Sequence, residues 1–216
     1  MKEDGYDWWI RRISFCNRLF DYIRLDHFRG FSAYYAIPYG KTAREGAWLK
    51  GPGLDFFREI RKRLPDTQFI AEDLGSLDNA VFNLLNLTGI PGMNVWQFSA
   101  EEMMNMTPKE QSGRIFYSGT HDNETLKGYC ESICPEEDAD RKCDEIIETI
   151  CESNAPWAVF QLQDLLHLGN EARMNVPGTV GGNWHWRADA SMLTGQLSDK
   201  IHSLAERTGR LQEAYG

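Results

Sequence analysis

Short apolar runs alternate along the chain with longer segments whose apolar residues recur every three or four positions. Five runs read as strands: "YIRLDHF" (22–28), "QFIAEDL" (68–74), "MNVWQFS" (93–99), "RIFYSGTHD" (114–122) and "AVFQLQDLL" (158–166). Between the first two, "GLDFFREIRKRL" places Leu54, Phe57, Ile60 and Leu64 at helical spacing, and Pro65 closes the helix. "SLDNAVFNLLNLTG" reads as a second helix, opened by a Ser-x-x-Asn cap at Ser76 and ended by Gly89-Ile90-Pro91. In "EEDADRKCDEIIETICES" the acids crowd the first turn, where the helix dipole favours them. Its Cys143, Ile147, Ile150 and Cys151 share one face, which suits core packing.

Apolar strands alternating with amphipathic helices predict an α/β fold, a parallel sheet covered by helices. Doubly wound sheets and (β/α)8 barrels both satisfy the pattern. The polar ends of the strands favour the barrel. Asp26-His27, Glu72-Asp73, His121-Asp122 and Gln163-Asp164 would sit at the C-terminal ends of four of the five strands. A barrel gathers such ends on one face, whereas an open sheet offers a single crevice. No G-x-G-x-x-G or phosphate-loop motif supports a nucleotide-binding sheet.

Composition narrows the function classes. The 216 residues are 42% hydrophobic and carry a net charge of −9, which argues against nucleic acid or an anionic membrane as partner. No apolar run approaches the roughly 20 residues of a membrane span. The opening "MKEDGYDWW" has no apolar signal-peptide core. Cys16, Cys130, Cys134, Cys143 and Cys151 form no C-x-x-C pair, so neither a disulfide framework nor a zinc site is expected, and a reducing cytoplasm fits.

The strand ends would deliver Asp26, Glu72 and Asp122 to one place, with Arg24 and His121 beside them. Three neighbouring carboxylates repel, and each loses hydration, so a purely structural cluster would need full pairing. A site that uses carboxylates in different protonation states explains them better. One ionised as nucleophile and one protonated as acid is the arrangement of retaining glycoside chemistry. Arg24, two residues before Asp26 on the same strand face, would keep Asp26 ionised. Glu72, crowded by like charge, would carry the proton to the leaving oxygen. Asp73 points to the opposite face and reads as structural, and His27 is left without a role.

The segments "GYDWWIRRI", "IRLDHFRGF", "WLKGPG", "IAEDLG", "GIPGMNVWQF", "YSGTHDNET", "LQDLLHLGNEARMNVPGT" and "GNWHWR" span residues 5–187. In this order they resemble glycoside hydrolase family 77, the 4-alpha-glucanotransferases or amylomaltases. The resemblance implies that Asp26 is the nucleophile that forms a glucosyl-enzyme and Glu72 the general acid/base. It makes Asp122 the third carboxylate, bound to ring hydroxyls, and sets Arg24 and His121 around the nucleophile and its sugar. It implies transfer of α-1,4-glucan segments between maltooligosaccharides with retention, and no metal or organic cofactor. Glu124, Tyr129 and His167 stand where the family more often has Asp, Trp and Gly, which bears on acceptor preference rather than on the reaction.

Two rivals remain in view. A metal-dependent barrel hydrolase could use Asp26, His27, Glu72, His121 and Asp122 as ligands, but a guanidinium at Arg24 would repel the cation. A non-catalytic carbohydrate-binding fragment would not need all three carboxylates. Most of the seven tryptophans are expected in cores, with Trp48, beside Gly51-Pro52-Gly53, as the exception. Asn175 could reach a sugar or cap a helix. A full barrel needs eight strands, and the resemblance implies that the strand bearing Asp26 is the fourth, so residues 1–216 are expected to be the C-terminal portion of a longer catalytic barrel. Such a portion would be inactive alone, and its open sheet edges would favour self-association.

Overall fold

Strand β1 (Tyr22–Leu25) and strand β4 (Gln68–Ala71) form a parallel pair in which Leu25 faces Ala71, as expected for apolar strands separated by a helical segment. The protein is described by a computed structural model over residues 2–211, and the chain divides into two compact units, one ending at Met93 and one starting at Asn94. The first unit opens with α1 (Asp7–Cys16); after β1 come a single turn, α2 (Arg29–Ser32), and a hairpin of β2 (Ala33–Ala36) and β3 (Ala47–Lys50). Helices α3 (Gly53–Arg63) and α4 (Asn79–Thr88) flank β4, and β5 (Gly92–Val95) lies at the division.

Aromatic side chains dominate the core of this unit. Tyr6, Trp9, Phe28, Phe31, Phe56 and Phe57 contact one another with centroids 5.1–6.1 Å apart, and Ile10, Ile13, Leu25, Ile60, Phe69, Val81, Leu84 and Leu85 complete the cluster. Each fully buried Phe or Ile contributes about 1.5–3 kcal/mol of transfer free energy. The cap of α4 is Asp78, whose Oδ1 accepts from the Ala80 and Val81 amides, and not Ser76 as the Ser-x-x-Asn spacing predicted. Ser76 instead gives its carbonyl to Arg29 Nη1 at 2.7 Å.

The second unit carries α5 (Trp96–Asn105), α6 (Pro108–Gln111), β6 (Arg114–Tyr117), α7 (Leu126–Ile133), α8 (Ala139–Glu152), β7 (Trp157–Val159), α9 (Leu162–Leu165) and α10 (Gly195–Arg207). Its sheet has the order β5-β6-β7, with β6 and β7 parallel. Helix α8 buries Cys143, Ile146, Ile147 and Ile150 against Leu126 and Cys130 of α7, Met103 of α5 and Phe116 of β6, and buries Cys151 on the same face, as its periodicity predicts. No helix among the described residues is long and apolar enough to cross a membrane.

All five expected strands are present, each shorter than its apolar run. Residues from Trp96 onward leave the sheet as helix α5, and Gln163-Asp164 lie in α9 rather than at a strand end. Asp164 is fully buried, accepting from the Leu126 amide at 2.8 Å and the Ser118 hydroxyl at 2.6 Å, so it is an internal brace. The hairpin β2–β3 was not expected. Its strands are largely exposed on both faces, so their sequences lack the alternation that reveals a half-buried strand. Trp48 is exposed as expected, but so are Trp8, Trp157 and Trp184, which were expected in cores.

Candidate active site

The parallel register of β1 and β4 ends at Leu25 opposite Ala71, so Asp26 and Glu72 are the next residues out of the same end of one strand pair. Backbone bonds continue the pairing past the strands. The Glu72 amide donates to Leu25 O at 2.9 Å, and the Phe28 amide donates to Glu72 O at 2.9 Å. Between them His27 takes a left-handed backbone conformation (φ 49°), which turns the chain sharply after Asp26.

The side chains then separate in environment. Asp26 Oδ1 accepts from Arg24 Nη1 at 2.6 Å, and its side chain remains 76% exposed, open to an incoming ligand. Glu72 is held by the backbone: Oε2 accepts from the His27 amide at 2.6 Å and Oε1 from the Leu74 amide at 3.0 Å. Each carboxyl oxygen keeps a second lone pair, so the restrained carboxyl can still take or give a proton. Asp73 is buried and accepts from the Met93 amide at 2.8 Å, the structural role expected of it.

Arg29 ties the hairpin to this strand end. Its guanidinium lies 4.5 Å from the centroid of the Trp48 ring, donates to Ser76 O and pairs with Asp78 at 3.2 Å. Trp48 also meets Tyr35, its cross-strand partner, edge to face at 5.5 Å. At the base of the hairpin Gly51 donates to Ser32 O, and a Cβ there would stand 2.4–2.5 Å from the carbonyl oxygens of Phe31 and Gly30.

The second unit presents the other predicted residues on the turn after β6. Asn123 Oδ1 accepts from both the amide and the hydroxyl of Thr120 at 2.8 Å, which shapes the turn that carries His121 and Asp122. Asp122 Oδ1 accepts from Asn175 Nδ2 at 2.6 Å and lies 3.5 Å from His121 Nε2. Arg173 donates to Asp122 O through Nη2 at 2.7 Å and to Asn175 O through Nε at 2.9 Å. Trp184, also in a left-handed conformation (φ 63°), packs its ring 5.1 Å from that of His121. The loop that brings Asn175 and Trp184 there is closed by Trp184 N donating to Met174 O and Val176 N donating to Asn183 Oδ1.

Of the five predicted side chains, Arg24, Asp26 and Glu72 therefore gather at one strand-pair end, and His121 and Asp122 gather with Asn175 on the turn of the second unit. Arg173 and Trp184 escaped the sequence reading. They lie in loops without periodicity, and only their place in "NEARMN" and "GNWHWR" marks them. Among the described residues no three His, Cys, Asp or Glu side chains form a cluster able to share a metal ion.

Comparison with known proteins shows the family and the fold. The family model described as 4-alpha-glucanotransferase, glycoside hydrolase family 77, matches residues 1–193. The 4-alpha-glucanotransferases of Clostridium butyricum and Thermus thermophilus are 35% and 37% identical over 98% of this chain, which spans 47% of each. That of Aquifex aeolicus is 39% identical over 86% of the chain, which spans 41% of it. The chain thus spans under half the length of these relatives. Among solved structures, the amylomaltase of Streptococcus agalactiae in complex with acarbose matches 98% of this chain and 46% of its own, with a TM-score of 0.84 at 33% identity. The amylomaltase of Corynebacterium glutamicum shares the fold, at TM-score 0.73 and 16% identity over 97% of this chain and 38% of its own. The α/β elements are those of part of the (β/α)8 barrel that these enzymes carry. The strand pair that ends in Asp26 and Glu72, and the turn that carries Asp122, belong to a member of the 4-alpha-glucanotransferase family.

Proposed function

We propose that the chain carries the catalytic carboxylates of a retaining 4-alpha-glucanotransferase that moves α-1,4-glucan segments between maltooligosaccharides. The observation that supports this best is the pair Asp26 and Glu72 at one end of two register-matched parallel strands, with Arg24 paired to Asp26 at 2.6 Å. Arg24 pairs with Asp26 and aims one oxygen, leaving the other open for attack on an anomeric carbon. Glu72, fixed by two backbone amides, gives its proton to the departing glycosidic oxygen and takes one from the 4-hydroxyl of the acceptor glucan. Asp122, oriented by Asn175 and His121, binds the hydroxyls of the sugar whose ring flattens in the transition state. Side chains of this kind supply the whole reaction without metal or organic cofactor, and a cytoplasmic location fits the free cysteines.

The test is incubation of a family-length protein carrying these residues with maltotriose. Transfer gives glucose together with maltotetraose and longer oligomers. Release of glucose and maltose alone would make the protein a hydrolase. Loss of activity on adding a chelator would move the reading to a metal-dependent enzyme.

A further inference from the structure

Cys130 and Cys143 face each other across the packing of α7 on α8, with Cys143 Sγ–H donating to Cys130 Sγ at 4.0 Å. Both are buried among Leu126, Ile146, Ile147 and Ile150, while Cys16 and Cys134 are partly exposed. The proposed glucan transfer uses neither thiol. We propose that Cys130 and Cys143 are an oxidative modification site: a small two-electron oxidant such as hydrogen peroxide converts them to a disulfide that joins α7 to α8.

The two sulfurs already touch, on neighbouring helices, at a separation that a shift of about 2 Å turns into a bond of about 2.05 Å. The direction of the hydrogen bond distinguishes their roles. It lowers the pKa of Cys130 and raises that of Cys143, with Lys142 also favouring the Cys130 thiolate. Cys130 thiolate attacks one peroxide oxygen. The O–O bond breaks, an S–O bond forms, and the departing hydroxide takes the proton that Cys130 released. Cys143 then attacks the resulting sulfenic sulfur as its own proton passes to the leaving hydroxyl. An S–S bond forms, the S–O bond breaks and a second water leaves. Two thiols are oxidised by one electron each, and one peroxide is reduced to two waters. The bridge would fix α7, which follows the His121–Asp122 turn in the chain, onto α8.

Burial excludes bulky reagents, so the native protein should react with an aromatic disulfide at Cys16 and Cys134 and not at this pair. The deciding experiment treats the 216-residue chain with hydrogen peroxide, blocks free thiols with iodoacetamide under denaturing conditions and maps tryptic peptides. A linked peptide pair joined through Cys130 and Cys143, released by dithiothreitol and unaffected by Cys134→Ser, is the expected result. A link through Cys134, or Cys130 and Cys143 both alkylated once Cys16 has been oxidised, would overturn the proposal. Cys143→Ala should lose the link. Because the mapping is made on the unmodified sequence, the outcome stands even where that variant fails to fold.

Discussion

At the scale of single residues, charge at Asp26 and a proton at Glu72 are the two quantities the proposed chemistry needs. Asp26→Asn and Glu72→Gln keep the shape of each side chain and remove these, although in Glu72→Gln the side chain can accept from only one of the His27 and Leu74 amides that Glu72 serves. In a family-length protein each should abolish maltotriose turnover. Unfolding free energy should stay within about 0.5 kcal/mol of the parent for Asp26→Asn. It should fall by about 1 kcal/mol for Glu72→Gln, which leaves one backbone amide unmet. Turnover that survives either change would remove that residue from its role. Asp164 gives a separate prediction about stability. Burial pushes its carboxyl pKa up, more than the bonds from Leu126 and Ser118 pull it down. The folded state therefore binds its proton more tightly than the unfolded chain does. Its contribution is greatest below the unfolded value of about 3.9 and is lost as pH rises through the folded pKa. Asp164→Asn can still accept from the Leu126 amide and can donate to the Ser118 hydroxyl. The melting temperature of the wild type relative to this variant should fall as pH rises above about 4. A margin that grows with pH would mean that the fold holds the charge. Asp164→Ala strands two buried donors and should cost about 1–3 kcal/mol per unmet group.

At the scale of elements, the strand end is built by neighbours that hold their backbones rigidly. Asp78 both caps α4 and pairs with Arg29, which in turn covers one face of Trp48. Asp78→Ala should destabilise the fold by about 1–2 kcal/mol, read from urea midpoints, with the larger share from the lost cap. Asp78→Asn keeps a capping oxygen and should recover most of that loss. Gly51 makes the sharper case, because the nearest atoms to an added Cβ are backbone carbonyl oxygens that cannot rotate away. Gly51→Ala should displace the hairpin base from α2 and lower stability by about 1–3 kcal/mol. An unchanged denaturation midpoint would show that the hairpin is free to move.

At the scale of the whole molecule, the family is shown, and the chain spans 41–47% of the length of the relatives compared. This part of a (β/α)8 barrel carries the proposed catalytic side chains, but the loops that surround a substrate in such a barrel come from strands all round it. The 216-residue chain assayed alone is expected to give no transfer from maltotriose, and a family-length protein is expected to give it. Equal turnover from both would place every needed contact within these residues. Size-exclusion chromatography of the isolated chain checks the companion expectation that its open strand edges favour self-association.

The sequence by itself determined the strand–helix alternation, the face that α8 buries, the position of Asp26 and Glu72 toward the C-terminal ends of two apolar runs, and the family motifs. These are local properties, set by periodicity and by neighbours a few positions away. Tertiary structure decided the rest. The strand ends at Val95, Tyr117 and Val159 depend on where pairing partners stop, which no local pattern records. Asp164 looked like a strand-end acid and became a buried brace, because Ser118 and Leu126, 46 and 38 residues away, supply its donors. Asn175, Arg173 and Trp184 reach the Asp122 turn across more than 50 residues of chain, through a loop closed by its own hydrogen bonds. Arg24 and Asp26 were legible because they are two residues apart at the end of one apolar run; the backbone bonds that hold Glu72 were not, because they form only when β1 and β4 lie side by side.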